Sequence, residues 1–146
     1  MHRRTFLATS AAAAALTTVA GRAVAATSAN PTVQPWTGPY GGVPAFDKVK
    51  VSDFLPGAQE AMDRNLAEID AIAANPAPAT FENTIAAMED SGRMLSDYYT
   101  FYGIWGGNLS TPEFQAVESE LDPRFAAFGD KITQNEKLFA RIEAVY

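Results

Sequence analysis

Apolar and small side chains recur at Phe54, Ala58, Ala61, Met62, Leu66, Ile69 and Ile72, spacings of three and four that draw one stripe along a helix. Asp53, Gln59, Glu60, Asp63, Arg64 and Asp70 fall on the opposite face. Ser52 stands where an N-cap is needed for a helix starting at Asp53. Pro56 fits its first turn, where amides have no intrahelical acceptor. Asn75-Pro76-Ala77-Pro78 ends the helix.

Thr80 caps a second helix with Glu82 in its first turn, facing the positive end of the helix dipole. Phe81, Ile85, Met88, Leu95, Tyr98, Tyr102, Trp105 and Leu109 keep the helical period as far as the expected breaker Gly106-Gly107. Tyr98, Tyr99, Phe101, Tyr102, Ile104 and Trp105 spread over more than half of this helix's circumference, more than one neighbouring helix covers. Thr111-Pro112 has the form of N-cap and N1 of a third helix. Phe114, Val117, Leu121, Phe125, Phe128 and Ile132 form its continuous stripe. Pro123 interrupts the hydrogen bonding and leaves the stripe intact, so one kinked helix is expected in preference to two. Asn135 caps a last helix carrying Leu138, Phe139, Ile142, Val145 and Tyr146.

Between Thr27 and Pro44, Pro31, Pro35, Pro39, Gly41, Gly42 and Pro44 are too close together for a regular element. This segment is expected to be an extended arm that docks on a body, because Trp36 and Tyr40 each have a large apolar area to bury. Trp36 to Gly42 is either a turn that anchors the arm, the preferred reading, or a binding loop. No interval alternates as a strand between hairpin turns, and no internal repeat is visible. The fold class expected is all-α, built of antiparallel helical hairpins.

Charge adds a compartment. Arg3, Arg4 and Arg22 are the only charged side chains in the first 25 residues, and all 17 acidic groups lie beyond them. Met1 to Arg4, the alanine-rich run Phe6 to Ala20 and the small-x-small Ala23-Val24-Ala25 form the three regions of an export signal cleaved after Ala25. Arg3-Arg4-Thr5-Phe6-Leu7 resembles the twin-arginine signal, which implies the twin-arginine export machinery as a partner and the periplasm as destination. The expected division is 1–25 export signal, 26–51 docking arm and 52–146 helical segment. Without those three arginines, 8 basic residues of the 11 face 17 acidic ones, a net charge of about −9. Such a surface repels phosphate backbones and anionic lipid heads, so nucleic acid is excluded as a partner.

Beyond His2 there is no histidine and no cysteine. Catalytic zinc nearly always uses imidazole or thiolate, and serine and cysteine hydrolases need an imidazole base. Gly103, Gly106 and Gly107 do not have the spacing of a phosphate-binding loop. No catalytic residue, metal ligand or cofactor site is therefore assigned. Glu113, Glu118, Glu120 and Asp122 are close in sequence, and paired carboxylates can serve glycoside hydrolysis or a hard cation. The preferred reading makes them the solvated face opposite the Phe114 to Ile132 stripe. Tyr98, Tyr102 and Trp105 are either packing residues, the preferred reading, or the lining of a peptide groove.

The segments Pro35-Trp36-Thr37-Gly38-Pro39-Tyr40-Gly41-Gly42-Val43-Pro44, Phe46-Asp47-Lys48-Val49-Lys50, Asp53-Phe54-Leu55-Pro56, Glu68-Ile69-Asp70-Ala71-Ile72, Thr80-Phe81-Glu82-Asn83-Thr84-Ile85, Asn108-Leu109-Ser110-Thr111-Pro112-Glu113-Phe114-Gln115 and Leu138-Phe139-Ala140-Arg141-Ile142 occur in this order. Together they resemble the amino-terminal region of bacterial peptidyl-dipeptidases of the Dcp type, which group with oligopeptidase A and thimet oligopeptidase. The resemblance implies an elongated all-helical zinc metallopeptidase that removes carboxy-terminal dipeptides from oligopeptides. The family's zinc motif, His-Glu-x-x-His with a downstream glutamate, belongs to the carboxy-terminal part of a chain several times longer. None of it occurs in these 146 residues, so no catalytic or zinc-binding residue carries over. Three expectations follow. As a non-catalytic amino-terminal part, the chain is inactive alone, engages oligopeptides only when joined to a catalytic domain, and self-associates through exposed apolar surface. As a stand-alone periplasmic module, it binds peptides or a partner. As a carboxylate-based hydrolase, the weakest of the three, it depends on Glu113 and Glu118.

Overall fold

The computed structural model describes residues 28–146; the expected export signal and its cleavage point lie outside them. Five α-helices follow an amino-terminal arm: α1 (Phe54–Ala73), α2 (Ala87–Asp90), α3 (Arg93–Leu109), α4 (Pro112–Thr133) and α5 (Glu136–Glu143). The described residues contain no strand, only an isolated bridge between Thr37 and Val43. The chain is all-α. Helix α1 touches each of the other four.

The start of α1 differs from expectation. Val51–Asp53 winds as a 3-10 turn, and the Asp53 carboxylate accepts the Lys50 N–H at 2.8 Å. Asp53 and not Ser52 therefore stands at the N-cap position of α1, and because the tighter turn points its carboxylate back at Lys50, it accepts from no amide of the first turn of α1.

The second expected helix is three pieces. Thr80 caps it as foreseen: its hydroxyl accepts from Asn83 N, while the Asn83 side chain accepts from Thr80 N. The first six residues, Phe81–Ala86, wind as a π-helix, α2 follows, and the path breaks at Ser91-Gly92. Gly92 adopts φ 70°, a left-handed conformation that costs any side chain with a Cβ. Its N–H donates to Glu68 Oε2 at 2.7 Å, and a Cβ there would lie 3.0 Å from the Asn65 amide. The chain turns at Gly92 because α1 provides both the acceptor and the close wall.

The expected breaker is no breaker. Helix α3 continues through Gly106-Gly107 to Leu109, even though each helical glycine costs roughly 1 kcal/mol relative to alanine. A Cβ on Gly106 would lie 3.0 Å from Glu118 Oε1 and 3.3 Å from the Phe114 ring, so the missing side chain lets α4 come close. Thr111 and Asn135 cap α4 and α5 as the spacing predicts, accepting from Phe114 N at 3.2 Å and Leu138 N at 3.0 Å. Helix α4 passes through Pro123 as a single helix.

The arm docks, though not through the residues expected. Thr32 and Val33 are buried while Tyr40 is fully exposed at 104 %. Gly57 is the reason: a Cβ at that position would lie 1.9 Å from Thr32 Oγ1. The Asn30 side chain accepts from Thr32 N and Thr32 Oγ1 and donates to Asp53 O. Trp36 is half-buried at the base of a loop whose bridge, Val43 N to Thr37 O at 3.1 Å, leaves Tyr40 at its tip.

Candidate functional site

The main core gathers Phe54 of α1, Leu95, Tyr98 and Phe101 of α3, and Phe114, Val117, Leu121 and Phe128 of α4. Phe54 is its centre. Its ring meets those of Tyr98, Phe101, Tyr102, Trp105 and Phe114 edge-on at centroid distances of 5.0 to 6.2 Å. Such contacts place positive ring edges against negative faces.

Of the three aromatic residues singled out in the sequence, Tyr98 is completely buried and donates its hydroxyl to Phe54 O at 2.9 Å. Tyr102 and Trp105 are half-buried against the same cluster. The Trp105 indole N–H is buried without an acceptor. All three thus lie in or against the interior. Burial pushes the Tyr98 phenol far above its ordinary range, with a further rise from Tyr102 and Tyr99. Burial also pushes Tyr102 up to about 12, helped by the carboxylates of Glu118 and Asp122. Tyr99 is raised by burial as well.

The four carboxylates of α4 do not converge. Glu120 is paired with Arg124, Glu118 lies against Gly106, and Glu113 and Asp122 are exposed. Zinc, which the family resemblance implies, does not fit here. Among the described residues there is no histidine or cysteine and no group of three side chains able to hold a metal ion.

A groove of about 300 Å³ runs between the arm and the helices, lined by Ser28, Gln34, Arg64, Glu68, Arg93 and Asp97 among others. All its charges but that of Asp97 are engaged. Arg64 reaches Glu68 at 3.4 Å, Arg93 is paired with Asp90, and Glu68 also accepts the Gly92 amide. It is a structural seam whose one unpaired charged side chain is the Asp97 carboxylate.

The residue that sequence reasoning passed over is Arg141. One terminal nitrogen donates to Asn75 O at 2.7 Å and Ala77 O at 3.1 Å; the other donates to Asn83 Oδ1 at 2.8 Å and Thr84 Oγ1 at 3.4 Å. Its fork ties α5 to the chain leaving α1 and to the π-helical turn. The only sequence signal is a basic residue on a helix whose apolar face has somewhere to dock. Gly92 did have a signal, the Ser-Gly dipeptide, masked by the helical period continuing on both sides.

No protein-family model matches the chain. The dipeptidyl carboxypeptidase of Escherichia coli (strain K12) is 33 % identical over 120 residues, covering 82 % of this chain and 18 % of that protein. The dipeptidyl carboxypeptidase of Salmonella typhimurium (strain LT2) is 32 % identical over 119 residues, covering 82 % of this chain and 17 % of the relative. The chain is therefore related to the dipeptidyl carboxypeptidases, of whose length it spans less than a fifth.

Proposed function

We propose that this chain is a non-catalytic, amino-terminal helical part of an exported zinc peptidase that releases dipeptides from the carboxy end of oligopeptides. The observation that carries this reading is a mismatch. The likeness to dipeptidyl carboxypeptidases covers most of the chain, yet residues 28–146 offer no imidazole or thiolate for a catalytic zinc. The helices form a wall of the larger body, and substrate, metal and chemistry belong to the part of such a peptidase that these residues do not supply. Arg3, Arg4, Phe6 and Leu7 direct the chain to the twin-arginine machinery, with cleavage at Ala23-Val24-Ala25 and release into the periplasm.

The test is direct. The purified chain, given zinc and a blocked tripeptide, should release no dipeptide. Zinc-dependent release that survives repurification would sink the reading. Saturable peptide binding by a monomer with one cooperative melt would instead favour a stand-alone binding module.

A further inference from the structure

The arm is seated as a ligand is seated. Pro31–Val33 winds as a short 3-10 turn capped by Asn30, and Gln34 Nε2 donates to Ser28 O at 3.0 Å, so the segment is folded upon itself. Its contacts with the body are made by particular side chains. Thr32 and Val33 are buried against α1 and α3, Asn30 Nδ2 donates to Asp53 O at 2.9 Å, and Ser28 Oγ donates to Glu60 Oε2 at 2.7 Å. The seat itself is a hole in α1. The three atoms nearest to where a Gly57 Cβ would lie, Thr32 Oγ1 and the two terminal atoms of the Asn30 amide, all belong to the arm. Glycine weakens a helix interior relative to alanine, and what it provides at this position is room for Thr32 and Asn30.

The chain that joins this seat to the next contact takes little part in holding it. Residues 37–41 are all exposed. The body is met again at Phe46, whose ring stands edge-on to Phe101 at 4.7 Å, and at buried Val49. The loop between is shaped by its own bonds, Gly42 N to Pro39 O and Val43 N to Thr37 O, both 3.1 Å. A loop that closes upon itself adds no grip on the body, so residues 28–34 are retained by the cleft.

We infer that the cleft between α1 and α3 over Gly57 is a recognition site for the arm, which it holds as it would a separate peptide of the form Asn-Pro-Thr-Val. The arm is a latch that stays shut when the chain behind it is cut. Brief chymotrypsin treatment of the purified chain should cut first after Tyr40, the fully exposed loop tip. Gel filtration of the cut chain at about 50 µM, a range suited to a micromolar dissociation constant, should return the fragment ending at Tyr40 together with the body. A synthetic peptide of residues 28–36 in excess should displace that fragment, and the same residues in scrambled order should not. Gly57→Ala sets a methyl group on Thr32 Oγ1 and should weaken retention about tenfold or more, while the helix content read by circular dichroism stays as it was. Asn30→Ala, which alters only the arm, should release the fragment too. Adding Thr32→Ala to Gly57→Ala leaves no arm atom closer than 3.3 Å to the methyl group and should recover part of the binding. A cut chain that loses its fragment without any substitution overturns the inference. So does a fragment that stays on the Gly57→Ala and Asn30→Ala chains alike, or a double variant that binds no tighter than Gly57→Ala.

Discussion

Tyr98 and Tyr102 set how the protein responds to alkali. A phenol in the unfolded chain ionises near pH 10, whereas Tyr102 in the folded state does so near 12 and Tyr98 higher still. In the interval between, the folded state holds protons that the unfolded state has released, so stability falls as pH rises. The contribution is complete below about pH 10 and lost through about pH 12. Urea unfolding followed from about pH 8 to pH 11.5 should show a falling midpoint above pH 10, with part of the phenolate absorbance appearing only as the chain unfolds. Phenolate absorbance that reaches its full five-tyrosine value in the folded chain with no loss of stability would contradict the buried placement of these rings.

Among elements, the break between α2 and α3 is the one that a residue-by-residue reading does not find. Gly92→Ala places a Cβ at φ 70° and 3.0 Å from the Asn65 amide, with an expected cost of about 1–2 kcal/mol for the left-handed conformation alone. Gly103→Ala, in the same stretch of chain but with open space around it, should gain about 0.5–1 kcal/mol. Opposite signs from two Gly→Ala changes in chemical denaturation at low protein concentration would be diagnostic of a turn at the first and regular helix at the second. The caps, by contrast, were legible in advance. Thr80, Thr111 and Asn135 are local devices whose hydrogen bonds close within three residues. Gly106 is illegible for the opposite reason: its role depends on Phe114 and Glu118 of another helix, which no local rule sees.

At the scale of the whole molecule, Arg141 fastens the last helix to the rest. In the smaller core cluster, Leu138 is the one fully buried residue that α5 supplies, and the four donor contacts of Arg141 add a polar clasp to it. Arg141→Met keeps the stem's packing and removes the fork, with an expected loss of about 2–3 kcal/mol. The amides of α5 should lose hydrogen-exchange protection ahead of those of α1 and α3. Arg141→Lys should recover little, because one ammonium cannot span two sets of acceptors. Equal protection of α5 in the Met variant would show that Leu138 and Ile142 suffice.

The sequence by itself determined the helical class, the stripes that became the core, three of the caps and the relationship to dipeptidyl carboxypeptidases, because each rests on period, local hydrogen bonding or ordered segments of likeness. The absence of an imidazole or thiolate ligand among residues 28–146 was equally plain from the sequence. Tertiary structure alone decided that Thr32 and not Tyr40 anchors the arm, that Gly92 turns the chain while Gly106 does not, and that Arg141 serves three segments. Each of those outcomes depends on an atom supplied from far along the chain: Gly57 under Thr32, Glu68 and Asn65 beside Gly92, Phe114 over Gly106. Periodicity says which face of a helix is apolar, but only packing says which neighbour comes close enough to use it.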